Sequence, residues 1–122
     1  MNKNILEQTA QALVANHKGI LAADESTGTI KKRFDKIGVE STEETRRAYR
    51  ELLFTSPGIG QYISGIIMFD ETIRQAASSG APFTKVLAAA GVLPGIKVDQ
   101  GTKPLEGHPN ELLTQGLDGL AD

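Results

Sequence analysis

Gly95-Ile96-Lys97-Val98-Asp99, GIKVD, places two charged residues in a short run that otherwise reads as a buried strand. Side chains alternate faces along a strand, so Lys97 and Asp99 share one face while Ile96 and Val98 share the other. A sheet face carrying lysine and aspartate cannot lie flat under a helix unpaired, because burying a lone charge is costly. It can line the polar mouth of a barrel. Two earlier apolar runs, Gly19 to Ala23 and Ile63 to Phe69, also read as strands, and all three strands end in a carboxylate: Asp24, Asp70 and Asp99. Asp24 shares its face with Ile20 and Ala22. Apolar strands alternating with helices argue for parallel pairing. Parallel α/β sheets place their sites at the strand C-terminal ends. A doubly wound sheet would carry G-x-G-x-x-G after its first strand, and this chain has none. The pattern favours a barrel.

The segments between these strands fill in the order. Ile5, Leu6, Ala10, Leu13 and Val14 set an apolar stripe on a helix over 4–16. A short helix is expected from about Thr29 to Lys36, stopping at Gly38. Ser41 and Glu44 form a capping box for a helix ending near Thr55, and Pro57-Gly58 breaks the chain. Thr72 to Ser78 is expected to be helical, and Phe83 to Ala90 is a further short helix. Thr102 to Thr114 reads as loop, and Gly116 to Leu120 as the start of another helix. There is no repeat, low-complexity tract or domain boundary, so residues 1–122 form one unit.

Bulk composition narrows the function classes. The chain has 122 residues, 39% hydrophobic and 23% charged, which is globular composition. Thirteen basic against fifteen acidic residues leave a formal charge of −2, so no long-range field draws nucleic acid or an anionic membrane. With no cysteine, disulfides and thiolate chemistry are excluded, and a reducing compartment fits. The N-terminal stretch is neither a secretory signal nor a membrane span, and a cytoplasmic location is the default expectation.

The stretch from Gly19 to Arg33, GILAADESTGTIKKR, holds the densest chemistry. The hydroxyls of Ser26, Thr27 and Thr29 gather at a helix N-terminus, where N–H groups and the helix dipole favour anions. Gly28 permits close approach or positive φ. Arg33 follows Thr29 by one turn and can grip phosphate oxygens through its fork. Lys31 and Lys32 add charge nearby. Asp24, at a strand end, can move protons. Together these suit a small phosphorylated substrate, although the same residues also make an ordinary capped turn followed by a solvated helix face. Lys97 needs a partner or a role, and an ion pair with Asp24 or Asp99 explains it as well as catalysis does. Arg46, Arg47 and Arg50 follow two acids and are expected mostly on the solvent side of their helix. His17 and His108 receive no role, and no metal cluster is present.

GILAADESTGTIKKRF followed by STEETRRAYRELLF resembles the N-terminal part of class I fructose-1,6-bisphosphate aldolase. The likeness continues through GIIMFDETI, GVLPGIKVDQG and TQGLDGL, in the family's order, over essentially the whole chain. The resemblance implies a (β/α)8 barrel, here its N-terminal part with an N-terminal helix and about three of the eight strands. It also implies a glycolytic, usually homotetrameric enzyme that needs no cofactor or metal. Such enzymes form a Schiff base between a lysine and the ketose C2 carbonyl, and the iminium accepts electrons as the C3–C4 bond breaks. The products are dihydroxyacetone phosphate and glyceraldehyde 3-phosphate.

By the same resemblance Asp24 assists proton transfers, and Ser26, Thr29 and Arg33 contact substrate, with Arg33 on a phosphate. Lys97 sits near the reacting carbons, and Arg46 falls close to the phosphate end. Thr29 stands where many relatives have serine and keeps the hydroxyl. Asp70 and Gln100 replace the family's usual histidine and lysine. The Schiff-base lysine and its neighbouring glutamates match nothing in residues 1–122, and a barrel of this kind typically needs ~250 residues. The chain is therefore expected to be an N-terminal piece of a longer enzyme, inactive alone. The alternative is a short paralogue that binds sugar phosphates or serves as a scaffold without catalysis.

Overall fold

The computed structural model describes residues 2–119. Its centre is a three-stranded parallel sheet, β1 (Gly19–Ala23), β2 (Ile63–Met68) and β3 (Leu93–Ile96), in the order β1-β2-β3. β1 pairs with β2 from Ile20↔Gly65 to Ala23↔Met68, and β2 with β3 from Gly65↔Leu93 to Met68↔Ile96. One further bond, from Lys97 N–H to the Met68 carbonyl, carries the ladder to the strand ends. The third strand starts two residues before its expected position and ends at Ile96, so Lys97, Val98 and Asp99 follow it outside the strand. Pro94 is tolerated within it because β3 lies at the edge of the described sheet, where a missing N–H breaks no ladder bond.

Helices cover one face of this sheet. α3 (Glu43–Phe54) and α6 (Phe83–Ala89) bring Phe54, Phe83 and Leu87 against Ala23, Ile66 and Met68. Phe54 and Phe83 meet edge to face, with ring centroids 5.1 Å apart at 89°. Each such fully buried side chain contributes roughly 1.5–3 kcal/mol of transfer free energy. Alternation turns Leu21 and Ala23 toward this core, which leaves Ile20, Ala22 and Asp24 on the opposite face.

α1 (Lys3–Leu13) crosses the N-terminal ends of the strands. Ser64 Oγ donates to the Leu13 carbonyl at 2.6 Å and to the Gly19 carbonyl at 3.2 Å. At Gly65 a Cβ would come within 2.6 Å of Leu13 Cδ2, so a side chain there would require the Leu13 side chain to shift. The apolar stripe of α1 is otherwise exposed at Ile5, Leu6 and Val14.

Several local expectations shift. α2 (Thr27–Asp35) begins two residues early and closes as anticipated at Gly38, where φ is +68 and Val39 N–H reaches the Phe34 carbonyl. The box at the start of α3 is formed by Thr42 and Thr45, not Ser41 and Glu44, because the helix opens one residue later and the Thr45 hydroxyl fills the reciprocal position. The freed Ser41 accepts from Arg46 instead, at 3.2 Å. A one-turn helix α4 (Ile59–Tyr62) precedes β2, and α5 (Asp70–Ile73) is shorter and earlier than the helix expected over 72–78.

The largest correction concerns residues 102–114. The expected loop is an antiparallel hairpin, β4 (Thr102–Leu105) and β5 (His108–Thr114), turning at Glu106-Gly107. Its base is tied by Gln100 N–H to the Gln115 carbonyl and Gln115 N–H to the Gly101 carbonyl, each 2.9 Å. Residues 115–117 are irregular and 118–119 form a turn, with no helix there. Leu120, the end of the expected final helix, lies outside the described residues.

Candidate active site

The end of β1 and the first turn of α2 build one wall of a cleft at the C-terminal rim of the sheet. Asp24 is the residue immediately after β1, and Ser26 is the N-cap of α2. The Ser26 hydroxyl does not cap its own helix. It faces Thr29 Oγ1 at 3.2 Å. The first N–H groups of any helix lack intrahelical acceptors, so this turn presents donors and two hydroxyls together. The end of β3 builds the opposite wall with Lys97, Asp99, Gln100 and Gly101, and Phe69 forms the floor between them. The open recess between them is about 560 Å³ and is lined by Asp24, Glu25, Ser26, Thr29 and Lys97 among others.

Four of the six residues read from the sequence as site residues thus meet at one cavity: Asp24, Ser26, Thr29 and Lys97. Arg33 reaches it at second hand, through an ion pair from its Nη1 to Glu25 Oε1, with its own side chain 56% exposed. Arg46 lies elsewhere. It makes a bidentate pair with Glu71, Nε to Oε1 and Nη2 to Oε2 at 2.7 Å each, joining α3 to α5. That pairing holds the Glu71 carboxyl below its usual range and raises Arg46. Lys31 is occupied by Asp35 one turn on, away from the cavity.

Of the partners that the sequence offers Lys97, the structure selects Asp99 and not Asp24. The lysine also lines the cavity. The Lys97 hydrogen bond, followed by the Gly101 N–H, keeps the Asp99 carboxyl below its ordinary value. Asp70, the third strand-end acid, opens α5 and is engaged by Arg74. It lines a neighbouring cavity of about 690 Å³ that shares Phe69, Lys97, Asp99 and Gln100 with the first.

Two residues at the site carried no role in the sequence reading. Glu25 uses one carboxylate oxygen for Arg33 and the other for Arg50, whose Nη1 donates at 2.8 Å. Arg46, Arg47 and Arg50 were expected mostly toward solvent, but the first two are partly buried and Arg50 is only 2% exposed. Phe54, four residues on, shares its helix face and is a core residue, which turns Arg50 inward with it. Gly28 also differs. It takes ordinary helical backbone with open space around its Cβ direction, so neither positive φ nor close packing explains it. Among the described residues no cluster of histidine, cysteine or carboxylates suits a metal, and no helix is long and apolar enough to cross a membrane.

A parallel sheet with helices on one face and acids, hydroxyls and lysine at its strand ends is part of a (β/α)8-type α/β architecture. The comparisons with known proteins agree. The family described as "Glycolytic: Fructose-bisphosphate aldolase class-I" matches residues 5–122. The chain belongs to the class I fructose-bisphosphate aldolase family. It is 63% identical over 115 residues to the "Probable fructose-bisphosphate aldolase class 1" of Xanthomonas campestris pv. campestris, covering 94% of this chain and 34% of that one. It is 56% identical over 117 residues to "Fructose-bisphosphate aldolase 1" of Toxoplasma gondii, covering 96% and 32%. A solved Plasmodium falciparum fructose-bisphosphate aldolase, in complex with TRAP and a small-molecule inhibitor, superposes with a TM-score of 0.90. That match has 50% identity and covers 99% of this chain and 36% of that one. The chain spans about a third of the length of these relatives.

Proposed function

We propose that residues 1–122 are the N-terminal part of a Schiff-base aldolase that reversibly cleaves fructose 1,6-bisphosphate to dihydroxyacetone phosphate and glyceraldehyde 3-phosphate. The observation carrying this reading is the meeting of Asp24, Lys97, Ser26 and Thr29 around one cavity at the strand C-terminal ends. The Schiff-base lysine is contributed by a strand outside these residues, and the chain alone is inactive. The enzyme acts in the cytoplasm as a homotetramer and needs no cofactor. Relatives named as cytoplasmic in Cicer arietinum and cytosolic in Arabidopsis thaliana accord with that location.

Within this reading each residue has a physical task. The α2 N-terminus, with the Ser26 and Thr29 hydroxyls, receives a phosphate, since N–H dipoles and hydroxyl donors both favour a dianion. Arg33 supplies charge-assisted hydrogen bonds to that phosphate once it turns from Glu25. Asp24 shuttles protons at the reacting carbons. Lys97, already paired with Asp99, places fixed positive charge beside the reaction and favours ionised carboxylates around it. Arg46 remains with Glu71.

Two measurements on the intact enzyme test the proposal. Asp24→Asn should lower cleavage by roughly 10²–10⁴-fold while calorimetric affinity for fructose 1,6-bisphosphate stays nearly constant. Undiminished cleavage removes Asp24 from the chemistry. Borohydride reduction with dihydroxyacetone phosphate, followed by peptide mapping, should place the modified lysine outside residues 1–122. A modified lysine inside them contradicts the division of labour.

A further inference from the structure

We propose that Arg50 is a positioning residue for the rim, acting through Glu25 to aim Asp24 and Ser26 into the cavity. The inference rests on reading that cavity as the aldolase site. Glu25 stands between those two lining residues. Arg50 Nη1 donates to its carboxylate at 2.8 Å, and Nη2 donates to its main-chain carbonyl at 3.0 Å. One guanidinium therefore holds the side chain and the backbone of the same residue. The Glu25 carbonyl belongs to the planar peptide that leads into Ser26, so fixing that oxygen fixes the plane.

Arg50 is itself firmly held. It is buried on α3, its guanidinium carbon lies 5.4 Å from the centre of the Tyr49 ring, and Phe54 anchors the next turn in the core. A rigid helix carrying a planar fork is the arrangement that sets a loop to within fractions of an ångström. Arg50 does not line the cavity, so it acts only through Glu25. Attachment of α3 to the fold does not depend on it. Phe54 supplies core packing, and Glu51 and Arg47 reach the turn after α5 through Ser78 and the Ala76 carbonyl. The second oxygen of Glu25 then holds Arg33, so the buried guanidinium sets the resting place of the exposed one.

The test uses the intact enzyme and counts working sites by borohydride trapping with dihydroxyacetone phosphate. Arg50→Lys keeps the charge but replaces the fork with a single ammonium, which cannot reproduce both bonds in their present geometry. Turnover per trapped site should fall about tenfold or more, with KM for fructose 1,6-bisphosphate raised. A merely structural role would reduce the number of trapped sites and leave turnover per site unchanged. Glu25→Gln removes the charge and one of the two carboxylate acceptors, weakening the same link from its other end, and should also lower turnover per trapped site. The double variant should be no worse than the poorer single one, as expected for two residues acting in series. Wild-type turnover per trapped site in Arg50→Lys, or losses that multiply in the double variant, overturns the proposal. Should Arg50→Lys not fold, full turnover per trapped site in Glu25→Gln overturns it equally. If the unaltered enzyme traps no dihydroxyacetone phosphate, the aldolase reading fails instead, and the two failures are distinct.

Discussion

Replacing Gly116 with alanine probes how strongly the rim depends on the chain returning from the hairpin. Gly116 has φ +137, a region other residues occupy only at a cost of about 1–3 kcal/mol. A Cβ there would lie 2.4 Å from the Val98 carbonyl oxygen and 2.9 Å from Asp99 Cα. Comfortable carbon contacts lie at roughly 3.5–4.0 Å. Both obstacles are backbone, so no side chain can swing aside, and one segment must move by about 1 Å. Val98 lies between Lys97 and Asp99, so the displacement reaches the ion pair on the cavity wall. Gly101 supplies a control, since it has φ +84 and nothing within 4 Å of its Cβ direction. Gly101→Ala should therefore show only the backbone cost, about 1 kcal/mol. Gly116→Ala should lose about 2–4 kcal/mol and up to about a hundredfold in turnover. The assay is urea unfolding and steady-state cleavage of fructose 1,6-bisphosphate in the intact enzyme. Equal midpoints and equal turnover for the two variants would refute the argument.

Further expectations concern the scaffold. Glu51 is held at a pKa of about 2, against an ordinary 4.5, by the Ser78 hydroxyl, then Arg47, then the Ser78 N–H. A depressed carboxyl stabilises the fold fully above 4.5, and that contribution is lost as pH falls toward 2. Ser78→Ala should lower the urea midpoint at neutral pH, with the gap to wild type closing toward pH 2. A gap independent of pH would contradict this. Phe83→Ala should cost about 3–5 kcal/mol. A double-mutant cycle with Phe54→Ala should yield a coupling of about 0.5–1.5 kcal/mol beyond burial. A zero coupling would deny the edge-to-face contact any energy of its own.

The strands and the rim were legible because both obey short-range rules. The abrupt end of an apolar run at Asp24 marked a strand terminus, and Lys97 and Asp99 do pair, although β3 ends at Ile96, before both, and strand alternation is not what joins them. The hairpin was not legible. Pro104 and Pro109 argue against strands, yet β4 and β5 pair only with each other, so prolines break little, and a register irregularity beside Pro104 absorbs the rest. The capping box failed by one position because several neighbouring hydroxyls and acids could serve, and only the backbone decides among them. Arg50 was hidden by its charge. Its partner Glu25 lies 25 residues earlier, and no local pattern announces a pair at that separation.

The contrast between hairpin and sheet bears on how the molecule assembles. β4 and β5 are joined by Glu106-Gly107, and such a hairpin closes within ~1–10 μs. β1 meets β2 only after residues 24–62 have been drawn together, and parallel pairing of this separation is intrinsically slow. Pulse-labelled hydrogen exchange should therefore protect the β5 amides before those of β2. Asp24 and Lys97 line a common cavity only where β1, β2 and β3 are joined, so a chain with its hairpin closed and its sheet unformed has the residues but not the recess.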